Sequence, residues 1–170
     1  MIAVRIFETS WGRMGVAASA RGLLRVVLPG KGNGPALRRL PRLGDYVVSD
    51  AAKAHAALAE RQIREYLCGR RRTFTVPVDL AALPPFQRKA LLAARKIPCG
   101  ETVEYGRLAE RVGNSRAARA VGQAMARNPV PLAIPCHRVV AAGGRLGGFG
   151  GRGALKRRLL ALEGAPAPRP

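Results

Sequence analysis

The sequence predicts an α/β unit followed by a mostly helical unit that carries a helix-turn-helix. Three observations predict this. Apolar side chains alternate in short runs over residues 1–28, with Gly-containing turns between the runs. Residues 50–69 then repeat apolar positions at helical spacing. Beyond Pro85 the texture changes to short helices, two of them joined by Gly113-Asn114-Ser115. The expected division is 1–76 for the α/β unit, 77–85 for a linker, 86–164 for the helical unit and 165–170 for a flexible tail.

In the first unit Ile2, Val4 and Ile6 alternate as one strand, and Ser10-Trp11-Gly12 turns the chain. Met14, Val16 and Ala18 form the second strand, Ala20-Arg21-Gly22 turns it back, and 23–28 is an apolar third strand. Residues 29–43, rich in Gly, Pro, Asn and Arg, read as loop. Ser49 or Asp50 caps a helix whose face is Ala52, Ala56, Ala59, Ile63, Tyr66 and Leu67, with Gly69 ending it. Arg70-Arg71-Arg72 reads as a solvated run, and Phe74, Val76 and Val78 as one more strand. His55 lies among alanines beside the apolar face and reads as structural.

In the second unit Pro85 suits a first helical turn, with Phe86, Ala90, Leu91, Ala94 and Ile97 on the packed side. Pro98-Cys99-Gly100 stops that helix, which leaves Cys99 inert at its end. Tyr105, Leu108, Ala109 and Val112 fall at i, i+3, i+4, i+7. Gly113-Asn114 breaks this second helix, and Ser115 is expected to cap a third that buries Ala117, Val121, Ala124 and Met125. Arg116, Arg119, Gln123 and Arg127 share its polar face, beside a nearly bare stripe of Ala118, Gly122 and Ala126. A helix that reads bases in a major groove carries long polar groups. A smooth one suits close approach to a backbone or a narrow groove, against the plainer reading of a solvated face. The run Gly148-Phe149-Gly150-Gly151-Arg152-Gly153 spells GxGxxG, but no βαβ unit surrounds it, so a dinucleotide site is rejected. Its place after a helix-turn-helix suits a wing, and 154–162 forms a last helix carrying Lys156, Arg157 and Arg158.

Thirty Lys and Arg stand against ten Asp and Glu, a net charge of +20. Such an excess points to a polyanionic partner, with nucleic acid ahead of an anionic membrane surface. Three cysteines (Cys68, Cys99, Cys136) make no complete disulfide framework, and with only His55 and His137 added a four-ligand zinc site is not expected. No signal-peptide run or membrane-length apolar stretch is present. The expected location is cytoplasmic and reducing, with no membrane partner, no metal and no cofactor.

The chemistry concentrates in Ile134-Pro135-Cys136-His137-Arg138-Val139-Val140. A thiol, a candidate base and an arginine are consecutive, and a thiol becomes a nucleophile only as thiolate. A Cys-His pair alone reads sooner as the inside of a packed strand than as a catalyst. In an extended strand neighbouring side chains point to opposite faces, so His137 is not expected to touch the thiol directly.

Four motifs in order decide between these readings. They are Gly100-Glu101-Thr102-Val103-Glu104-Tyr105-Gly106, Ala117-Ala118-Arg119-Ala120-Val121-Gly122, Arg127-Asn128-Pro129-Val130-Pro131 and Ile134-Pro135-Cys136-His137-Arg138-Val139. Through them the stretch 86–164 resembles the alkylguanine-DNA alkyltransferases; the first third matches only in general layout. The resemblance implies a ribonuclease-H-like α/β domain followed by a winged helix-turn-helix-like domain. It implies DNA repair, with double-stranded DNA containing alkylated guanine as partner. The base is flipped out, and the alkyl group on guanine O6, or on thymine O4, moves irreversibly to the protein. Cys136 would be the acceptor. His137 and Glu163 would form the activating relay through a bridging water, and Asn128 would be a hinge. Arg119 would enter the base stack. Tyr105 would crowd the adjacent phosphate and bond the base. Ser115, Ala118 and Gly122 would lie on DNA, the stripe in the minor groove. The base pocket would be formed by Tyr105, Val139, Pro131, Phe149 and Gly150. The family's usual Tyr-Ser-Gly-Gly reads here Phe149-Gly150-Gly151-Arg152, which removes a phenol and a hydroxyl. A roomier, more flexible loop follows from that change. The protein is expected to be a monomer, with protein–protein contacts along DNA.

Two other classes compete. A lesion reader of the alkyltransferase-like group would lack the acceptor thiol, whereas Cys136 is present. A Cys-His hydrolase would turn over substrate.

Overall fold

The computed structural model describes residues 1–30, 33–38, 40 and 49–169. The chain divides into two compact units, Met1–Ala82 with Pro129–Ala133, and Leu83–Asn128 with Ile134–Pro170.

In the first unit β1 (Ile2–Thr9), β2 (Gly12–Ser19) and β3 (Gly22–Val27) form an antiparallel sheet in sequence order. Thr9 pairs with Gly12 and Ser19 with Gly22, so both hairpins turn in two residues. Gly22 is obligatory there: its φ is +145°, and a Cβ would lie 2.6 Å from the Pro77 carbonyl. The strict alternation expected of β1 breaks at Ile6, which is exposed, while Phe7 is buried beneath the Arg64 guanidinium. A short α1 (Gly34–Arg38) follows, and then α2 (Asp50–Leu67). Ser49 caps α2, its Oγ accepting from the Ala52 N–H at 3.2 Å. Ala52, Ala56, Ala59, Ile63, Tyr66 and Leu67 are all buried, as their spacing predicts. His55 Nδ1 lies 3.0 Å from the Ser19 carbonyl, a structural contact.

Three readings of this unit need correction. Residues 29–43 are not all loop, because α1 buries Leu37, with Leu40 beyond it, against Val4, Ala17 and Val27. Five residues are too few to show a helical period; the remainder of that reading, at 31, 32, 39 and 41–43, lies outside the described residues. Phe74, Val76 and Val78 do not form a strand. Only Val78 bridges Leu23, and the buried Gln62 side chain takes the place of a partner strand, its Oε1 accepting from the N–H groups of Thr75 and Val76. The arginine run is not uniformly solvated, since Arg71 pairs with Glu65 at 2.6 Å.

The second unit holds α3 (Pro85–Arg95), β4 (Val103–Glu104), α4 (Tyr105–Arg111), α5 (Ala118–Ala126), β5 (Val139–Val140) and α6 (Gly153–Glu163). Pro85 occupies the first turn of α3, where its missing N–H is not needed. Ala90, Leu91, Ala94 and Ile97 are buried, but Phe86 is 36% exposed and outside the expected packed face. Ser115 does not cap α5. The N-cap is Ala117, and the turn before it is built by Asn114, whose Oδ1 accepts from the Arg116 N–H and whose carbonyl accepts from the Ala117 N–H. β4 and β5 pair in parallel, Val103 opposite Val139. The segment before β5 is not extended as expected: Cys136–Arg138 is a 3-10 turn closed by the Arg138 N–H on the Pro135 carbonyl. After α6 the Arg169 N–H donates to the Gly144 carbonyl at 2.9 Å. Among the described residues no helix is long and apolar enough to cross a membrane.

Candidate active site

α6 presents one buried stripe, Lys156, Leu159, Leu160 and Glu163, at i, i+3, i+4 and i+7. The two leucines drive the packing, and the two charged residues are carried inward with them. Glu163 ends the helix; Gly164 follows in the left-handed conformation, and its N–H donates to the Ala161 carbonyl.

A carboxylate at a helix C-terminus faces the negative end of the dipole. Here four donors offset that. His137 Nε2 lies 2.8 Å from Oε1, Arg138 Nη2 donates to Oε1 at 2.9 Å, Arg138 Nε donates to Oε2 at 2.9 Å, and the Gly100 N–H donates to Oε2 at 3.3 Å. Arg138 also donates through Nη1 to the Ile97 carbonyl. All three side chains are buried. A carboxylate only accepts, so the neutral imidazole carries its proton on Nε2 and its basic lone pair on Nδ1. Burial pushes the His137 imidazole below its ordinary value, against the pull of Glu163, and the Arg138 and Lys156 charges push the same way. The ring is therefore neutral near pH 7, the state in which it can take a proton.

Cys136 is 5% exposed. Burial pushes its thiol above the ordinary range. Opposing this are hydrogen bonding from the Asn128 side chain, the Lys156 charge, and the N–H groups of Cys136 and His137. Asn128 also donates through Nδ2 to the Ile134 carbonyl at 2.9 Å, so one amide spans the end of α5 and the residue that leads into the Cys136 turn. At rest the thiol keeps its proton, and the site offers both a base and fixed donors for the thiolate. That arrangement suits nucleophilic attack on an electrophile brought to the buried thiol.

Tyr105, at the start of α4, is half-buried beside this thiol. Burial raises its phenol, with the Cys136 charge adding to the effect. Its hydroxyl donates to the Gly148 carbonyl at 3.4 Å. Gly122 of α5 faces the same ring: a Cβ there would stand 3.9 Å from it. Val139 is fully buried, Phe149 is half-buried and Gly150 is exposed, with φ +56°. Arg119 and Ser115 are exposed, on α5 and on the turn before it; Ala118 is half-buried. Pro131 is buried within the Pro129–Ala133 stretch that belongs to the first unit.

The structure thus gathers Cys136, His137, Glu163, Asn128, Tyr105 and Val139, and sets Arg119 and Ser115 on an exposed face. It adds two residues to which sequence reasoning gave no role, Arg138 and Lys156. The signal for Lys156 was available, because it shares the i, i+3, i+4, i+7 stripe with Glu163. Arg138 carries no such signal, since its partner is 25 residues away.

Residues 85–165 match the family model described as 6-O-methylguanine DNA methyltransferase, DNA binding domain. A methylated-DNA–protein-cysteine methyltransferase of Mycolicibacterium paratuberculosis is 44% identical over 110 residues, a stretch covering 65% of this chain and 66% of that protein, just under two thirds of its length. The crystal structure of the Mycobacterium tuberculosis O6-methylguanine methyltransferase is 33% identical, with a TM-score of 0.77 over 98% of this chain and 96% of that one. The same organism's OGT in complex with DNA is 32% identical, with a TM-score of 0.74 over 96% of this chain and 95% of that one. With the buried Cys136 site lying inside the matched stretch, and with likeness to solved members running along nearly the whole chain, this chain belongs to the O6-methylguanine-DNA methyltransferase family.

Proposed function

We propose that this protein repairs alkylated DNA by moving the alkyl group from O6 of guanine, and from O4 of thymine, onto Cys136, once per molecule. The observation that carries the reading is the buried thiol next in sequence to His137, whose Nε2 is held by the Glu163 carboxylate that Arg138 also engages. The His137 lone pair takes the thiol proton through a bridging water. The thiolate sulfur then forms a bond to the alkyl carbon as the carbon–O6 bond breaks, and its electron pair leaves with the base. No oxidant, metal or organic cofactor enters that balance. A thioether has no leaving group for water to displace, so Cys136 is not regenerated.

Double-stranded DNA is the proposed partner, supported by the net charge of +20 and by the relative solved in complex with DNA. α5 would lie in the minor groove on Ala118 and Gly122, with Ser115 also on the DNA and Arg119 filling the stack left by the flipped base. Tyr105, Val139, Pro131, Phe149 and Gly150 would form the base pocket, and Asn128 the hinge. In finer detail the first unit is read as ribonuclease-H-like and the second as a winged helix-turn-helix, with boundaries 1–76, 77–85, 86–164 and 165–170. The protein is read as a cytoplasmic monomer that touches its neighbours along DNA.

The test is intact mass after incubation with a duplex oligonucleotide carrying methylguanine. One methyl added, mapped to Cys136 and absent in Cys136→Ala, is expected. A repaired base with no added mass points to a different enzyme, and binding with neither points to a reader; either outcome rejects the proposal.

A further inference from the structure

Glu104 stands where a helix calls for a short polar side chain. It is the N-cap of α4 and makes no side-chain cap bond. Ser, Thr, Asp and Asn suit that position, because their oxygen reaches the free N–H groups of the first turn. The Glu104 carboxylate goes elsewhere: Oε1 accepts from the Gly143 N–H at 2.8 Å. An acid here also runs against the charge of its unit, in which Lys and Arg far outnumber Asp and Glu. The next residue, Tyr105, meets the same segment further along. Its hydroxyl donates to the Gly148 carbonyl at 3.4 Å, and a Cβ on Gly147 would lie 3.1 Å from its ring. Consecutive side chains at the β4–α4 junction therefore hold both ends of 143–148. Within that segment the Arg145 carbonyl accepts from the Ala141 N–H at 2.8 Å, and the Gly148 carbonyl accepts also from Lys156 Nζ at 3.3 Å. Gly143 (φ +73°) and Gly144 (φ +74°) give the turn little stiffness of its own, so its shape follows from what it is tied to. Phe149 and Gly150 of the proposed base pocket come directly after it.

We propose that Glu104 is a positioning residue for the base pocket: its carboxylate fixes the Gly143 end of 143–148 while Tyr105 fixes the other, so that the chain delivers Phe149 and Gly150 to one place. This rests on the reading of those residues as the pocket for an alkylated guanine. The Glu104–Gly143 bond is charge-assisted but exposed to water, so it sets a position rather than holding the fold together. A glutamine keeps an acceptor oxygen at the same reach. A serine is too short to reach Gly143, yet it gives α4 an ordinary cap. Both substitutions remove the same charge. The difference between them therefore reports the tie, and not the repulsion between an acid and DNA.

The test uses the full chain as Glu104→Ser and Glu104→Gln, with two readouts. One is hydrogen exchange of the Gly143 amide, followed by NMR. The other is single-turnover methyl transfer from a duplex carrying methylguanine, followed by intact mass. In Glu104→Ser the Gly143 amide should exchange on the order of tenfold faster. The limiting rate of transfer should fall about three- to tenfold with the half-saturating duplex concentration no higher, because α5 still holds the DNA and only capture of the base is impaired. The urea midpoint of Glu104→Ser should be no lower than that of wild type, since the helix gains a cap. Glu104→Gln should stay near wild type in amide exchange and in limiting rate. A Glu104→Ser chain with wild-type amide exchange, or with faster exchange and an unchanged limiting rate, overturns the proposal. So does a Glu104→Gln chain that loses as much as Glu104→Ser, and so does a lowered urea midpoint, which would assign the loss to the fold. If wild type takes no methyl from DNA, the proposed function is rejected, while amide exchange in the two variants still decides whether Glu104 holds the turn.

Discussion

At Glu163 four donors meet one carboxylate at the end of a helix that repels it. The position makes sense only once Arg138 is counted. Its guanidinium takes both oxygens, which leaves His137 as a ring oriented by the acid rather than one that must neutralise it. The neutral His137 has a consequence for stability. Its folded value lies below the ordinary 6.5, so between the two values the unfolded chain binds a proton that the folded chain refuses. Stability is then present above about pH 6.5 and drains away as pH falls through that window. Denaturant midpoints taken from about pH 7.5 down to about pH 5 should fall more steeply for wild type than for His137→Gln; parallel curves would sink the assignment. Cys136 and His137 were legible in one of the motifs, and Glu163 only through what the resemblance implies. Arg138 and Lys156 were not given roles, because a cation in a basic chain reads as surface until its burial is seen.

At the scale of elements, α5 is shaped by what it lacks. Ala118 and Gly122 leave its face low, and Gly122 lets the Tyr105 ring lie against the helix. A methyl at 122 would make ordinary contact at 3.9 Å, and alanine favours a helix over glycine by about 0.5–1 kcal/mol. Gly122→Ala should therefore be as stable as wild type or up to about 1 kcal/mol more stable in urea unfolding. It should nevertheless repair duplex substrate more slowly, because the helix stands further from the groove. Unchanged duplex repair would remove α5 from the DNA interface. Long or strongly periodic elements such as the three strands and α2 were readable from the sequence. α1 and the 74–78 segment were not. The first is too short for a period, and the second has the apolar alternation of a strand while Gln62 supplies its hydrogen bonds.

Across the whole molecule, charge is the dominant feature. Several of the ten acids are already engaged with arginines: Glu60 with Arg5 and Arg64, Glu65 with Arg71, Asp79 with Arg21, Glu110 with Arg107, and Glu163 with Arg138. These acids are paired within the chain, and the net charge of +20 is left for a partner. Binding to undamaged duplex should weaken by on the order of tenfold or more between about 50 and about 200 mM salt, as counterions are released. Fluorescence anisotropy giving a flat profile would contradict an electrostatic footprint on DNA. The sequence by itself determined the charge, the regular elements and the motifs that carry the family, because each depends on residue type and short spacing alone. Only the tertiary structure decided how the thiol is governed. The 3-10 turn at Cys136 stands where an extended segment is expected, and the Arg138–Glu163 pair and the Lys156–Val139 hydrogen bond join residues 25 and 17 positions apart, contacts that no local pattern encodes.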